Sequence, residues 1–293
     1  MREKTADQIR DAVRADYAAR ARKVAGGGAS ACCGDSETVG TTQRFYEGES
    51  YAGESIDDMP DSVVSYGCGN PLAIAGLRHG EVILDLGSGA GLDCFLAAQR
   101  VGPEGRVIGL DMTDEMLSLA EQNRAKLGVA NVEFRKGLME ALPVADASVD
   151  VIISNCVINL SPDKDAVFAD ALRALRPGGR LQVSDIVLLR ELLLTEQEDV
   201  SLWTGCKAGA LVIGDYISRL EAAGFAHLSI DVSEGLAGGS AQKPWRSGLI
   251  SAFKPGGESK PRPRGADERI ELVAPPGLES AACCGEDCCA PER

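Results

Sequence analysis

Residues 82–96 read Val-Ile-Leu-Asp-Leu-Gly-Ser-Gly-Ala-Gly-Leu-Asp-Cys-Phe-Leu. A five-residue apolar run that ends the way a buried strand does passes into glycines at 87, 89 and 91, and then into a helical pattern beginning at Leu92. Strand, tight glycine turn and helix in that order form the opening of a βαβ unit, in which a ligand sits over the turn at the helix N-terminus.

Outward from this unit the same alternation repeats. The sequence predicts strands at 82–86, 107–111, 132–135, 149–154 and 180–187, with helices at 92–100, 113–127 and 164–175 between them. That order implies an α/β fold with a mostly parallel sheet. Further on, the chain reads as helical over Glu191–Leu211, then as a helix at 215–223 stopped by Gly224. Two late strands, 227–232 and 247–253, are expected to close the sheet as an antiparallel pair. Upstream, Thr5 and Gln8 form a capping box for a helix over about 5–24 whose apolar positions Ile9, Val13, Tyr17 and Ala21 suit packing, and Gly26-Gly27-Gly28 ends it. The expected organisation is 1–60 as an N-terminal helix and a mobile cysteine-bearing loop, 61–187 as the ligand-binding core, 188–254 as a smaller sheet-completing α+β part, and 255–293 as a flexible tail rich in Pro, Gly and Cys.

Composition narrows the function. With 44% hydrophobic and 25% charged residues, and no apolar stretch long enough to cross a bilayer, the chain reads as a soluble globular protein. The charged start lacks the apolar core of a secretory signal, which gives a cytoplasmic expectation. A net charge of −14 disfavours nucleic acid and anionic membrane as partners. Ten cysteines are many for a reducing compartment, where metal binding or catalysis is the commoner use.

The pattern Asp85-Leu-Gly87-Ser-Gly89-Ala-Gly91 resembles the first motif of Rossmann-like S-adenosylmethionine methyltransferases. Its spacing differs from the dinucleotide fingerprint, consistent with a ligand that has no pyrophosphate. About 20 residues further on, Asp111 ends the second strand, where a carboxylate can accept from ribose hydroxyls. The resemblance implies a class I architecture, a seven-stranded mostly parallel sheet with helices on both faces. It also implies cofactor contacts from Asp85, Gly87, Gly89, Gly91, Asp111 and Met112, with Leu138 and Met139 beside the adenine.

Three cysteines stand in distinctive contexts: Cys68 in Gly-Cys-Gly-Asn-Pro, Cys156 in Asn-Cys-Val-Ile-Asn-Leu-Ser-Pro, and Cys206 in Trp-Thr-Gly-Cys-Lys-Ala-Gly. None has a CxxC partner, so a zinc knuckle does not fit. Taken singly, each reads more readily as a small buried hydrophobe than as a ligand. Cys156 follows the fourth strand directly, at the sheet end where ligands of open α/β folds bind. Taken together and in order, these segments resemble the motifs of arsenite methyltransferases, from about Tyr46 to Pro255. The resemblance implies that Cys68, Cys156 and Cys206 hold trivalent arsenic, soft thiolate meeting a soft acceptor, and serve as the catalytic set. Asn155 would position the methionine part of the cofactor. The apolar and small residues from Trp203 to Ala210 suit a transfer that loses the sulfonium charge.

By the same resemblance Cys32 and Cys33 would pass arsenic inward, and glutathione or thioredoxin would act as thiol reductant. Cys94 is expected to be structural, and His79 and His227 incidental. The tail pairs Cys283-Cys284 and Cys288-Cys289 suit collection of thiophilic ions, with disulfide exchange and dispensable tail sequence as the alternatives. Two other functions remain open on the residues alone: methylation of a small organic metabolite, and thiol-based sequestration of arsenic without catalysis.

Overall fold

The structure, a computed structural model, describes residues 5–27, 59–67, 69–197, 199–233 and 244–256. Cys32, Cys33, Cys68 and the four tail cysteines lie outside the described residues, as does the expected flexible tail.

The chain forms α1 (Ala6–Ala25), α2 (Pro71–Ala75), β1 (Val82–Leu86), α3 (Leu92–Val101), β2 (Arg106–Asp111), α4 (Asp114–Leu127), β3 (Val132–Lys136) and β4 (Val149–Asn155). A 3-10 turn (Ile158–Leu160), α5 (Lys164–Ala174), β5 (Leu175–Leu188), α6 (Leu194–Gln197), α7 (Val200–Thr204), α8 (Ile213–Ala223), β6 (Ala226–Ser233) and β7 (Trp245–Phe253) follow. The seven strands make one sheet in the order β3-β2-β1-β4-β5-β7-β6. Strands β1 to β5 pair in parallel, and β7 pairs antiparallel with both β5 and β6. This is the mostly parallel seven-stranded sheet expected from the sequence.

Both faces of the sheet are covered, so its strands read as continuous apolar runs. Leu84, Leu86, Ile108, Leu110 and Ile152 point to one face and meet Phe168 of α5 and Tyr216 of α8. Ile83, Val107, Val151 and Ile153 point to the other and meet Leu72 of α2 and Phe95 and Leu96 of α3. A third cluster lies at one end of the strands, where Cys156, Leu160, Ile186, Cys206 and Trp245 pack with Val13 of α1.

The helix starts and stops follow from single residues. The Thr5 hydroxyl accepts from Gln8 N–H while the Gln8 side chain accepts from Thr5 N–H, closing the capping box. Asn70 caps α2, its Oδ1 accepting from the backbone N–H of Leu72 at 3.0 Å and of Ala73 at 3.2 Å, with Pro71 in the first turn. The Asn-Pro of the Gly-Cys-Gly-Asn-Pro motif is thus a helix start. Arg180 of β5 holds the end of that helix, donating to Ala75 O at 2.6 Å and Gly76 O at 2.9 Å and pairing with buried Glu81 at 2.9 Å.

Two expectations are corrected. The region Glu191–Leu211 is not one helical stretch: among its described residues only α6 and α7 are helical, and the chain after Thr204 turns back on itself. Gly205, the left-handed Cys206 (φ 60°) and Gly209 do not continue a helix, and the turn they allow brings Cys206 onto the end of the sheet. Strand β5 begins at Leu175 rather than Arg180, because a register shift between Val149 and Val151 lets Leu175 pair before Pro177 and Gly178 and Arg180 pair after them.

Candidate active site

The strand order reverses between β1 and β4, with β2 and β3 on one side and β5 on the other. Loops leaving the carboxyl ends of β1 and β4 therefore part in opposite directions and leave a cleft, the usual ligand site of an open α/β sheet. The cleft encloses about 940 Å³, open solvent at its mouth included, within the range of small-molecule pockets.

The glycine loop forms its floor. Gly87 has φ 68° and Gly89 φ 52°, left-handed values that favour glycine. A side chain at Gly87 would strike Val157, whereas one at Gly89 would meet no neighbour and fill the space of the cleft. Asp111 at the end of β2 braces the loop, its Oδ2 accepting from Gly89 N–H at 3.0 Å and its Oδ1 from Thr113 N–H at 2.8 Å. Met112, Leu138, Met139 and Asn155 all border the same space.

Charge distinguishes this cleft. Burial raises the pKa of Asp85 well above the usual carboxylate range, nearby Asp93 raises it further, and the Cys94 thiol, donating at 3.2 Å, works the other way. Burial likewise raises Asp111. Asp93, Asp111 and Glu140 border the cleft, and Arg10 is the one basic side chain among its described lining residues. Arg10 donates to Glu140 at 3.2 Å. Three carboxylates and one arginine border the cleft, an acidic balance that suits a cationic ligand, and S-adenosylmethionine carries an ammonium and a sulfonium. The residues present thus fit that cofactor.

At the β4 side stand two of the three candidate cysteines. Cys156 follows β4 with φ 59°, and Cys206 has φ 60°. Left-handed backbone at non-glycine residues costs of order 1–3 kcal/mol and clusters at functional sites. Both are buried, and Cys206 Sγ donates to Cys156 O at 2.7 Å. Cys156 is disulfide-bonded, whereas Cys94 and Cys206 are free thiols. Gly67 and Gly69, which flank position 68, press against the side chains of Asn155 and Ser184 respectively. Asn155 Nδ2 donates to Gly69 O at 2.8 Å and to Asp93 Oδ2 at 3.1 Å. One amide therefore links the residue after position 68 to the carboxylates of the cleft.

The sequence reading assigned no role to several residues that the fold brings here. Arg10, Val13 and Tyr17 of α1, read only as packing positions or not singled out, border the cleft. Asp93 does so too; an acid inside the apolar run Leu92–Leu96 was the available signal. Behind the thiols lie Asn159, Lys164 and Asp185, all buried. Burial pushes Asp185 up to about 7, against hydrogen bonds from Ile186 and Asn159 N–H, and pushes Lys164 down to about 8. Cys94 is fully buried beneath the glycine loop, and His79 and His227 do not border the cleft.

Residues 77–234 match a family model described as a methyltransferase domain. A crystal structure of an arsenic (III) S-adenosylmethionine methyltransferase from Chlamydomonas reinhardtii is 36% identical, with a TM-score of 0.56, over 65% of this chain and 68% of that one. The chain belongs to the arsenite methyltransferase family. Among curated relatives, an arsenite methyltransferase of Halobacterium salinarum is 50% identical over 204 residues, 69% of this chain and 51% of the relative. One from Aquipseudomonas alcaligenes is 48% identical over 158 residues, 52% of this chain and 45% of the relative. The chain thus spans about half the length of these arsenite methyltransferases. No helix among the described residues is long and apolar enough to cross a membrane.

Proposed function

We propose that the protein methylates trivalent arsenic with S-adenosylmethionine as methyl donor, and that Cys156, Cys206 and Cys68 are the arsenic ligands. The observation that carries this reading is the meeting of Cys156 and Cys206, far apart in sequence, with Cys156 bordering a cleft that carboxylates also line. Methylation of an organic metabolite gives no reason for paired thiol residues in strained backbone, and sequestration alone gives none for the cofactor cleft.

Asp111 would accept from the ribose hydroxyls, the cleft bordered by Leu138 and Met139 would take the adenine, and Asp85, Asp93 and Asn155 would lie toward the methionine end. When bound, S-adenosylmethionine supplies a methyl group on a sulfonium for transfer to the arsenic lone pair. The chain's own part is positioning, worth up to about 7–11 kcal/mol when reacting atoms are held in line. Thiolates grip the arsenic and leave its lone pair free, so no general base is needed. Leu160, Ile186 and Trp245 around the thiols exclude water.

Cys156 must be reduced before it can ligate, which supports a thiol reductant, glutathione or thioredoxin by family analogy. Cys32 and Cys33 would deliver arsenic to this site, and the tail cysteines would concentrate it. A cytoplasmic setting, which keeps cysteines reduced, is part of the same reading. The segmentation into an N-terminal part (1–60), a cofactor core (61–187), a sheet-completing part (188–254) and a tail (255–293) belongs to the same reading.

The test is incubation of the full chain with arsenite, S-adenosylmethionine and excess thiol, followed by mass spectrometry. Methylarsenicals formed only when all three are present are the expected result. Arsenite bound but unmethylated would leave sequestration as the function.

A further inference from the structure

Asn159 lies in the 3-10 turn that follows Cys156 and is fully buried. Its side-chain Nδ2 faces three acceptors: Ile186 O at 2.7 Å, Asp185 Oδ1 at 2.8 Å and Cys206 O at 3.2 Å. An amide has two N–H bonds, so the longest contact shares a hydrogen. Rotating the amide would set its oxygen against a carboxylate and two carbonyls, so the donor orientation is the only one the surroundings accept. Asp185 closes the arrangement from below, its Oδ2 accepting from Asn159 N–H at 3.2 Å.

The carbonyl oxygen of Asn159 is a second point of contact. Lys164 Nζ donates to it at 3.4 Å and to Ser161 O at 2.9 Å. Gly209 lies so close that a side chain there would collide with it, and Trp203 covers the same glycine. The turn that carries Cys206 is thus seated on Asn159 through the Cys206 carbonyl and through Gly209.

We propose that Asn159 is a positioning residue for arsenic capture: its amide ties the turn bearing Cys206 to the turn bearing Cys156 and sets the spacing of those two sulfurs. This rests on the reading that both cysteines ligate arsenic. The direct bond between the two, from the Cys206 thiol to the Cys156 carbonyl, uses the thiol hydrogen. That hydrogen leaves when sulfur bonds arsenic, and the Asn159–Cys206 bond, which uses only a side-chain N–H and a main-chain oxygen, persists. Groups that orient a ligand without touching the ion are the usual means by which a protein fixes such geometry, and losing one typically costs roughly 10–100-fold in affinity.

The experiment compares the reduced full chain with Asn159→Ala and with Asn159→Leu, which keeps the approximate volume and removes the donor. Arsenite binding is measured by equilibrium dialysis with arsenic counted by mass spectrometry. S-adenosylhomocysteine binding by calorimetry, the melting temperature and the separate KM values for arsenite and S-adenosylmethionine are measured alongside. Both variants are expected to bind S-adenosylhomocysteine within about threefold of the parent, and to bind arsenite roughly 10–100-fold more weakly with a raised arsenite KM. Unchanged arsenite affinity in either folded variant overturns the proposal. Parallel loss of arsenite and nucleoside binding in both variants also overturns it, because Asn159 would then be a general core residue. A parent chain that binds no arsenite would instead remove the assignment of Cys156 and Cys206 as ligands, and this proposal with it.

Discussion

The thiol of Cys206 donates to the main-chain carbonyl of Cys156 across 2.7 Å, though the two are 50 residues apart in the chain. Cys156 is the first residue after β4 and Cys206 lies in the turn after α7, and each adopts the left-handed backbone that side chains avoid. Of these two strained residues, Cys156 also borders the cleft.

If that geometry serves arsenic, Cys156→Ser and Cys206→Ser should each abolish methylation while S-adenosylhomocysteine binds within a few-fold of the parent. Calorimetry and product analysis on the same preparations check this. Wild-type turnover in either variant would remove that cysteine from the ligand set.

Asp111 braces the glycine loop and faces the cofactor space. Asp111→Ala removes a half-buried carboxylate acceptor, and hydrogen bonds to charged groups are worth about 1.5–3 kcal/mol. Cofactor affinity should fall about 10- to 100-fold, at about 1.4 kcal/mol per tenfold, with arsenite binding little changed. Calorimetric titration with S-adenosylhomocysteine gives the answer, and an unaltered affinity would place the ribose elsewhere.

Arg180→Met tests the support beneath the residues flanking position 68. It leaves Glu81 buried without its cation, a change that costs about 3–5 kcal/mol, and it frees the two carbonyls that end α2. Denaturant unfolding should show a loss of that order, and a loss below about 1 kcal/mol would mean that water replaces the ion pair.

Burial holds Asp185 at about 7, against about 3.9 for a free aspartate. Between those values the unfolded chain is ionised while the folded carboxyl keeps its proton. The unfolded state then binds fewer protons, so this group's contribution is fully present below about pH 4 and is lost as pH rises through about 7. Lys164, lowered to about 8, acts in the opposite sense at higher pH, where stability rises between about 8 and 10.4. Replacing Asp185 with Asn should make the stability difference, variant minus parent, grow between pH 4.5 and 6.5 by up to about 1.4 kcal/mol per pH unit. Denaturant unfolding at several pH values measures it, and a constant difference would show that Asp185 does not titrate there.

The cofactor half of the site was legible because its determinants are local. Gly87, Gly89 and Asp111 act through backbone shape and strand ends, and both leave marks in the sequence. The thiol half was legible only as three contexts with a family likeness, since nothing in the neighbours of Cys206 shows that it meets Cys156. The sequence reads as helical over Glu191–Leu211, whereas Gly205 and Gly209 turn the chain back. Asn159 and Asp185, from different elements, gave no sign of pairing, and α1 read as packing because Val13 and Tyr17 serve packing and cleft alike.

Arsenic K-edge X-ray absorption on the reduced, arsenite-loaded full chain counts the sulfurs around the ion. Three sulfurs in the parent and two in Cys206→Ser are the expected result. An unchanged sulfur count in that variant, or oxygen neighbours in the parent, would contradict the arsenic site described above.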